Sequence, residues 1–370
     1  MGTLQIKGQL DLKKFWPLGK SDADTTNVIL NVDKTSFTFQ KKPAAAFKII
    51  HDFEGAYLSK GFTADGVEKK QPVIKVLKNS SNVTIRLQGI DAPELHYKIY
   101  FSDYLGNLPK NHPFVQDRII PAAIKTQLDI NNKPEYRQLF GETATVELVN
   151  FLKQANGTGT LIDCTVESTV ERPQDVIDKY GRIVGDIFVT VNGEKINVNL
   201  WQLENGWAFP SMYNSMTDGE INMVLAAATK GKTLKQNDIY THFIPQKVDN
   251  FDFNLQYRNN GVPVKEKGKV IIPKMFRRLC VYSIFKKSGI DLISLKNYLF
   301  QKGGSDFYLW KDFMIKANRA NPNKNPVELK TEFIHRLFDH ITNKNIFNLM
   351  AEEMILREDP ATVKGPKIKI

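Results

Sequence analysis

The sequence predicts an α+β fold: short β-branched or alternating runs fill the first ninety residues, helical periods and a hairpin alternate up to about residue 240, and helical periods dominate thereafter. The chain has 370 residues, 42% of them hydrophobic and 25% charged, which suits a folded protein of two domains better than one small core or a disordered chain. The domains expected are residues 1–240, with a large insertion within about 27–80, and a basic, mainly helical region, 241–370.

The elements are predicted in order. Val28 to Val32, Phe47 to Ile50, Val73 to Leu77 and Val83 to Leu87 are rich in β-branched and aromatic residues and read as strands. Residues 97–134 hold Pro109, Pro113, Pro121 and Pro134, so they read as loop with one helix around Ala122 to Leu128. Between Gly141 and Lys153 the spacing of Ala144, Leu148, Phe151 and Leu152 gives one apolar helical face, closed by Asn156-Gly157. Thr160 to Val170 and Ile183 to Val191 are strands, the second ending at the hairpin signal Asn192-Gly193. Val198 to Glu204 and Met216 to Lys230 are helical, and so are the apolar periods from Met275 to Ile284 and from Phe333 to Ile341.

Charge is unevenly placed. Residues 241–370 carry 23 Lys and Arg against 13 Asp and Glu, which is nearly the whole net charge of +11. Such a concentration favours polyanions through counterion release. The opening Met1-Gly2-Thr3-Leu4-Gln5-Ile6 has neither a basic nor an apolar leader region, and no stretch reaches membrane-spanning length, so a cytoplasmic location without membrane contact is expected. Cys164 and Cys280 stand far apart and read as buried small hydrophobes. The six histidines show no metal-ligand spacing, and no glycine-rich phosphate loop or nucleophile elbow is present. Asp52 with Glu68-Lys69-Lys70 fits a loose Asp…Glu-x-Lys nuclease pattern that recurs by chance in lysine-rich chains.

Three segments carry chemistry. Arg86-Leu87-Gln88-Gly89-Ile90-Asp91-Ala92-Pro93-Glu94 puts an arginine on a strand and two acids at its exit, although Asp-Ala-Pro-Glu is also an ordinary helix start. Asp178-Lys179-Tyr180-Gly181-Arg182 joins two strands and could be only a hairpin turn. Ser21-Asp22-Ala23-Asp24-Thr25 precedes a strand and by itself is a polar turn.

In the same order along the chain, these segments resemble the three signature stretches of the staphylococcal nuclease (thermonuclease) family. Phe140-Gly141-Glu142-Thr143-Ala144 and Val198-Asn199-Leu200 through Gly206-Trp207-Ala208 resemble further parts of it. The resemblance implies a five-stranded OB-type β-barrel with flanking helices over residues 1–240, here with the insertion, since Asp24 and Arg86 lie 62 positions apart. It also implies a phosphodiesterase acting on DNA, RNA or both, with calcium or another divalent ion held by Asp24 and Asp91 and by the carbonyl of Ala92. By the same resemblance Arg86 and Arg182 bind phosphate, Glu94 is general base or positions the water, and Lys179, Tyr180 and Tyr213 contact substrate. Two other placements of the first aspartate compete: Glu54-Gly55-Ala56-Tyr57, which puts Ala56 there, and an ungapped match, which puts Pro72 there.

The residue types suit the reaction on chemical grounds. Forked, permanently charged guanidiniums can each hold two phosphate oxygens. Paired carboxylates repel unless a hard cation lies between them. The rival reading is a nuclease-like barrel that binds nucleic acid or protein without cleaving.

Overall fold

The computed structural model describes residues 1–30, 37–50, 56–63, 65–76, 81–97, 138, 140–213, 215–234 and 239, with short pieces within 122–126, 272–282, 307–309, 354–356 and 363–364. The chain forms two compact units, Met1–Ile90 with Ala144–Leu203 and Asp359–Ile370, and Asp91–Thr143 with Glu204–Glu358.

The first unit is built on a closed five-stranded barrel. Its strands are β1 (Gly2–Asp11), β2 (Thr25–Leu30), β3 (Ser81–Leu87), β4 (Leu161–Val170) and β5 (Ile183–Val191). Around the barrel the order is β1, β2, β3, β5, β4 and back to β1. The closing seam is the longest, running antiparallel from Gly2↔Val170 to Asp11↔Leu161. Strands β3 and β5 run parallel, with Ile183↔Ile85 and Val184↔Arg86; the other four seams are antiparallel. The mixed barrel and its helices are the α+β architecture expected.

Alternation along the strands fills the interior, broken on β3 where Arg86 is buried as well. Leu4, Ile6 and Leu10 of β1 are buried with Val28 and Leu30, Val83 and Ile85, Ile162 and Val166, and Ile183, Ile187 and Val189. Gly8 continues the inward row of β1, and a Cβ there would come within 2.4 Å of the Ile29 carbonyl oxygen. Cys164 shares the inward row of β4, and burial pushes its thiol up to about 12, aided by the charge of Asp163. Cys280 lies outside the described residues.

Between β2 and β3, which pair directly, the chain inserts Phe37–Gln40 on the free edge of β1, Lys48–Ile49 beside it, a hairpin of Tyr57–Phe62 and Glu68–Pro72, and Ile74–Val76 on β3. Val363–Lys364 adds to the hairpin edge at Leu58 and Tyr57.

Helix α1 (Gly141–Leu152) buries Ala144, Leu148, Phe151 and Leu152, the residues its spacing nominates. Helix α2 (Val198–Glu204) follows the β5 hairpin, whose turn residues Asn192 and Gly193 have φ of 52° and 85°. Phe151 stacks on Trp201 with ring centroids 4.1 Å apart. Helix α3 (Asp218–Leu234), in the second unit, opens with a capping box: Thr217 Oγ1 accepts from Glu220 N–H, and Glu220 accepts from Thr217 N–H.

Ala122, Ala123, Lys125 and Thr126 are helical, within the helix expected around them. Residues 273, 276–277 and 281–282 are helical as well, whereas Phe333 to Ile341 lie outside the described residues. Short strands occur at Phe307–Leu309 and Met354–Leu356. Among the described residues no helix is long and apolar enough to cross a membrane.

Candidate active site

Asp22 shapes the turn into β2: its Oδ1 accepts the N–H groups of Asp24 at 3.2 Å and Thr25 at 2.8 Å. Asp24 is thereby delivered to the end of β2, where Thr25 stands opposite Arg86 of β3. The Arg86 guanidinium lies 2.5 Å from Asp24 Oδ2 and donates to the Asp24 carbonyl at 3.1 Å. Its other terminal nitrogen donates to the Ile90 carbonyl at 3.1 Å, clamping the peptide that leads into Asp91. Thr25 Oγ1 donates to Asp24 Oδ1 at 2.8 Å. Thus residues 62 positions apart are brought together, while Ala56 and Pro72 belong to the inserted hairpin region, where Val73 N–H donates to the Ala56 carbonyl and Pro72 pairs with Tyr57.

Arg182 enters β5 next to β3. Because Val184 is the register partner of Arg86, Arg182 is two residues back on that same outward row. Its turn is organised by Asp178, whose Oδ1 accepts Tyr180 and Arg182 N–H at 2.9 Å each and whose Oδ2 lies 2.7 Å from the Arg182 guanidinium. Gly181 has φ of 83°, so a side chain there would be strained. Tyr180 is 59% exposed, with Lys179 Nζ at 5.5 Å and Arg182 Cζ at 5.1 Å from its ring centroid.

Asn199 ties the neighbouring loop to β5. Its Nδ2 donates to the Gln88 and Gly185 carbonyls and to Asp186 Oδ1, and its Oδ1 accepts Ile187 N–H. Gln202 of α2 donates to the Ala23 carbonyl at 2.7 Å, fixing the peptide before Asp24.

In the second unit, Asp91 is buried and Glu94 is ion-paired with Arg277. Gln138 holds the Glu94 backbone from both sides, donating to its carbonyl at 2.7 Å and accepting its N–H at 3.0 Å. Arg277 is anchored by its neighbours: Tyr97 OH donates to its carbonyl at 3.2 Å, and the Tyr97 ring packs edge-on against Phe276. Tyr213 is half-buried in a short strand beside Met354–Leu356. Sequence reasoning did not find Arg277, which is 183 positions from its partner and stands among other basic residues. It did not single out Asn199 as a brace or β1 as a barrel strand either.

Residues 84–237 match the family model of staphylococcal nuclease homologues. Over this segment the chain is similar to staphylococcal nuclease homologues. The nuclease-homologue segment begins inside β3 and holds Arg86, Asp91, Glu94 and Arg182, whereas β1, β2 and Asp24 precede it. No curated protein matches the chain.

Proposed function

We propose that the protein hydrolyses phosphodiester bonds in DNA, RNA or both. The observation that carries this reading is the pairing of Asp24 with Arg86 across adjacent barrel strands. The family match supports it, since members of this family are typically nucleases.

Asp24 and Asp91 would hold calcium or another divalent ion with the Ala92 carbonyl. The donor set suits a hard cation in kind, being carboxylate and carbonyl oxygens largely withdrawn from solvent. Among the described residues no group of three or more His, Cys, Asp or Glu is arranged to hold a metal. When bound, the ion would neutralise phosphate charge and lower the pKa of a coordinated water. Arg86 and Arg182 would bind the phosphate oxygens on which charge grows, a preorganised interaction whose loss costs about 10²–10³ in rate. Glu94 would accept the proton of the water attacking phosphorus, with Arg277 holding the carboxylate in place. Lys179, Tyr180 and Tyr213 would contact the rest of the substrate.

A second reading is a binding module. It is favoured by Arg86, Arg182 and Glu94 each being engaged in an ion pair. Cleavage of plasmid and single-stranded substrates with calcium, then with excess chelator, separates the two. Calcium-dependent cleavage that Glu94→Gln abolishes without loss of binding supports hydrolysis; cleavage that survives chelator contradicts the mechanism.

A further inference from the structure

The inserted hairpin is docked on the turn that carries Arg182. Gln71 Nε2 donates to the Tyr180 carbonyl at 2.7 Å and Lys60 Nζ to the Lys179 carbonyl at 3.4 Å. Leu58 is buried, and a Cβ on Gly181 would lie 2.7 Å from Gln71 Nε2 and 3.2 Å from Leu58 Cδ1. Turn and hairpin therefore make one continuous surface inside the first unit. Lys60, Lys69 and Lys179 are exposed on it, whereas Lys70 points to the opposite face of the hairpin. Among these cations lies the ring of Tyr180, beside Lys179 and Arg182; Tyr57, with Lys70 Nζ 4.6 Å from its centroid, occupies the other face of the hairpin. The acids nearby are engaged or peripheral: Asp178 holds Arg182, Glu68 accepts the Tyr57 hydroxyl at 3.2 Å, and Asp65 is at the hairpin tip.

Cations spaced around an exposed aromatic ring are what a flexible polyanion with flat bases requires: lysines take phosphates by counterion release and rings take bases by stacking. A duplex keeps its base faces covered and gives such a ring nothing to stack on. We propose that the inserted hairpin is an accessory binding surface for single-stranded nucleic acid, guiding the strand past the phosphate-binding turn. It rests on the phosphodiesterase reading in taking the Arg182 turn to face a nucleic-acid phosphate. The hairpin then governs affinity for long substrates and leaves the chemical step alone.

The test uses the full chain with Lys69→Glu, a substitution outside the Gly181 contact and on the docked face of the hairpin. Probes are fluorescent oligothymidylates of about three and about twenty nucleotides, chosen to fall below and above the usual span of a barrel of this size, and a duplex of the longer length. Affinity is read by anisotropy in chelator and turnover in calcium. The expected result is an affinity loss and KM rise of about tenfold for the long strand alone, with kcat and short-strand cleavage unchanged. The slope of log affinity against log salt should shrink by about 0.7 for each phosphate that the variant no longer neutralises. Equal effects on short and long strands, or none, would overturn the proposal, as would equally tight binding of the duplex. A wild-type protein that binds with this lysine dependence yet never cleaves sinks the phosphodiesterase reading alone; one that cleaves, with affinity indifferent to Lys69, sinks the hairpin proposal alone.

Discussion

Asn199 shows how a single amide can hold a loop beside a candidate site. Its amide nitrogen reaches two backbone carbonyls and a carboxylate while its oxygen accepts a backbone N–H, and the residue is 1% exposed. Removing it strands buried polar groups, each costing about 1–3 kcal/mol. Asn199→Ala is therefore expected to destabilise the fold by about 3 kcal/mol in urea unfolding. Glu94 and Arg277 form a unit of another kind. Arg277→Gln should lower kcat about tenfold with little change in KM, Arg277→Lys should recover part of it, and in a Glu94→Gln background the Arg277 change should cost almost nothing further. Additive losses would assign Arg277 to structure alone. Cys164 gives a pH prediction. Its folded thiol keeps its proton to about pH 12 whereas the ordinary value is 9.0, so across that window the unfolded chain has released a proton that the folded one retains. Stability must fall as pH rises there, by at most about 1.4 kcal/mol per pH unit. Cys164→Ala should flatten that part of the curve by the corresponding amount.

At the scale of elements, legibility followed how local the signal was. The stretch from Arg86 to Glu94 was visible because arginine, glycine and two acids stand within nine positions, and Asp178 to Arg182 because one glycine and one aspartate define the turn. Strand β1 was less visible: its inward row runs Leu4, Ile6, Gly8, Leu10, and the glycine interrupts the apolar alternation where backbone approach leaves no room for a side chain. Arg277 could not be read, since nothing local in a run of basic residues marks one of them as the partner of a distant acid. The insertion could be bounded but not oriented, because its docking depends on Gln71 and Lys60 meeting backbone carbonyls that no sequence pattern announces. Gly181→Ala tests that docking. It combines an unfavourable φ with a collision at Gln71, so it should release the hairpin, seen as faster proteolysis between Tyr57 and Pro72.

At the scale of the whole molecule, the match to a known family starts in the middle of the barrel. Residues 84–237 supply β4, β5 and most of β3 but not β1 or β2, so two of the five strands lie outside that span. Excised alone, this segment would expose the edges of β3 and β4 together with the apolar rows that β1 and β2 cover. It is expected to be unfolded or aggregated by circular dichroism and gel filtration, whereas the full chain is not. A well-folded excised segment would show that the long seam between β1 and β4 is dispensable.

That seam also dictates when the barrel can close. Residue 2 pairs with residue 170 and residue 11 with residue 161, so β1, once synthesised, must wait for more than a hundred further residues before its partner exists. Until then its inward row of Leu4, Ile6 and Leu10 lacks the partner that covers it in the closed barrel, so the nascent chain is more exposed to aggregation than the finished protein.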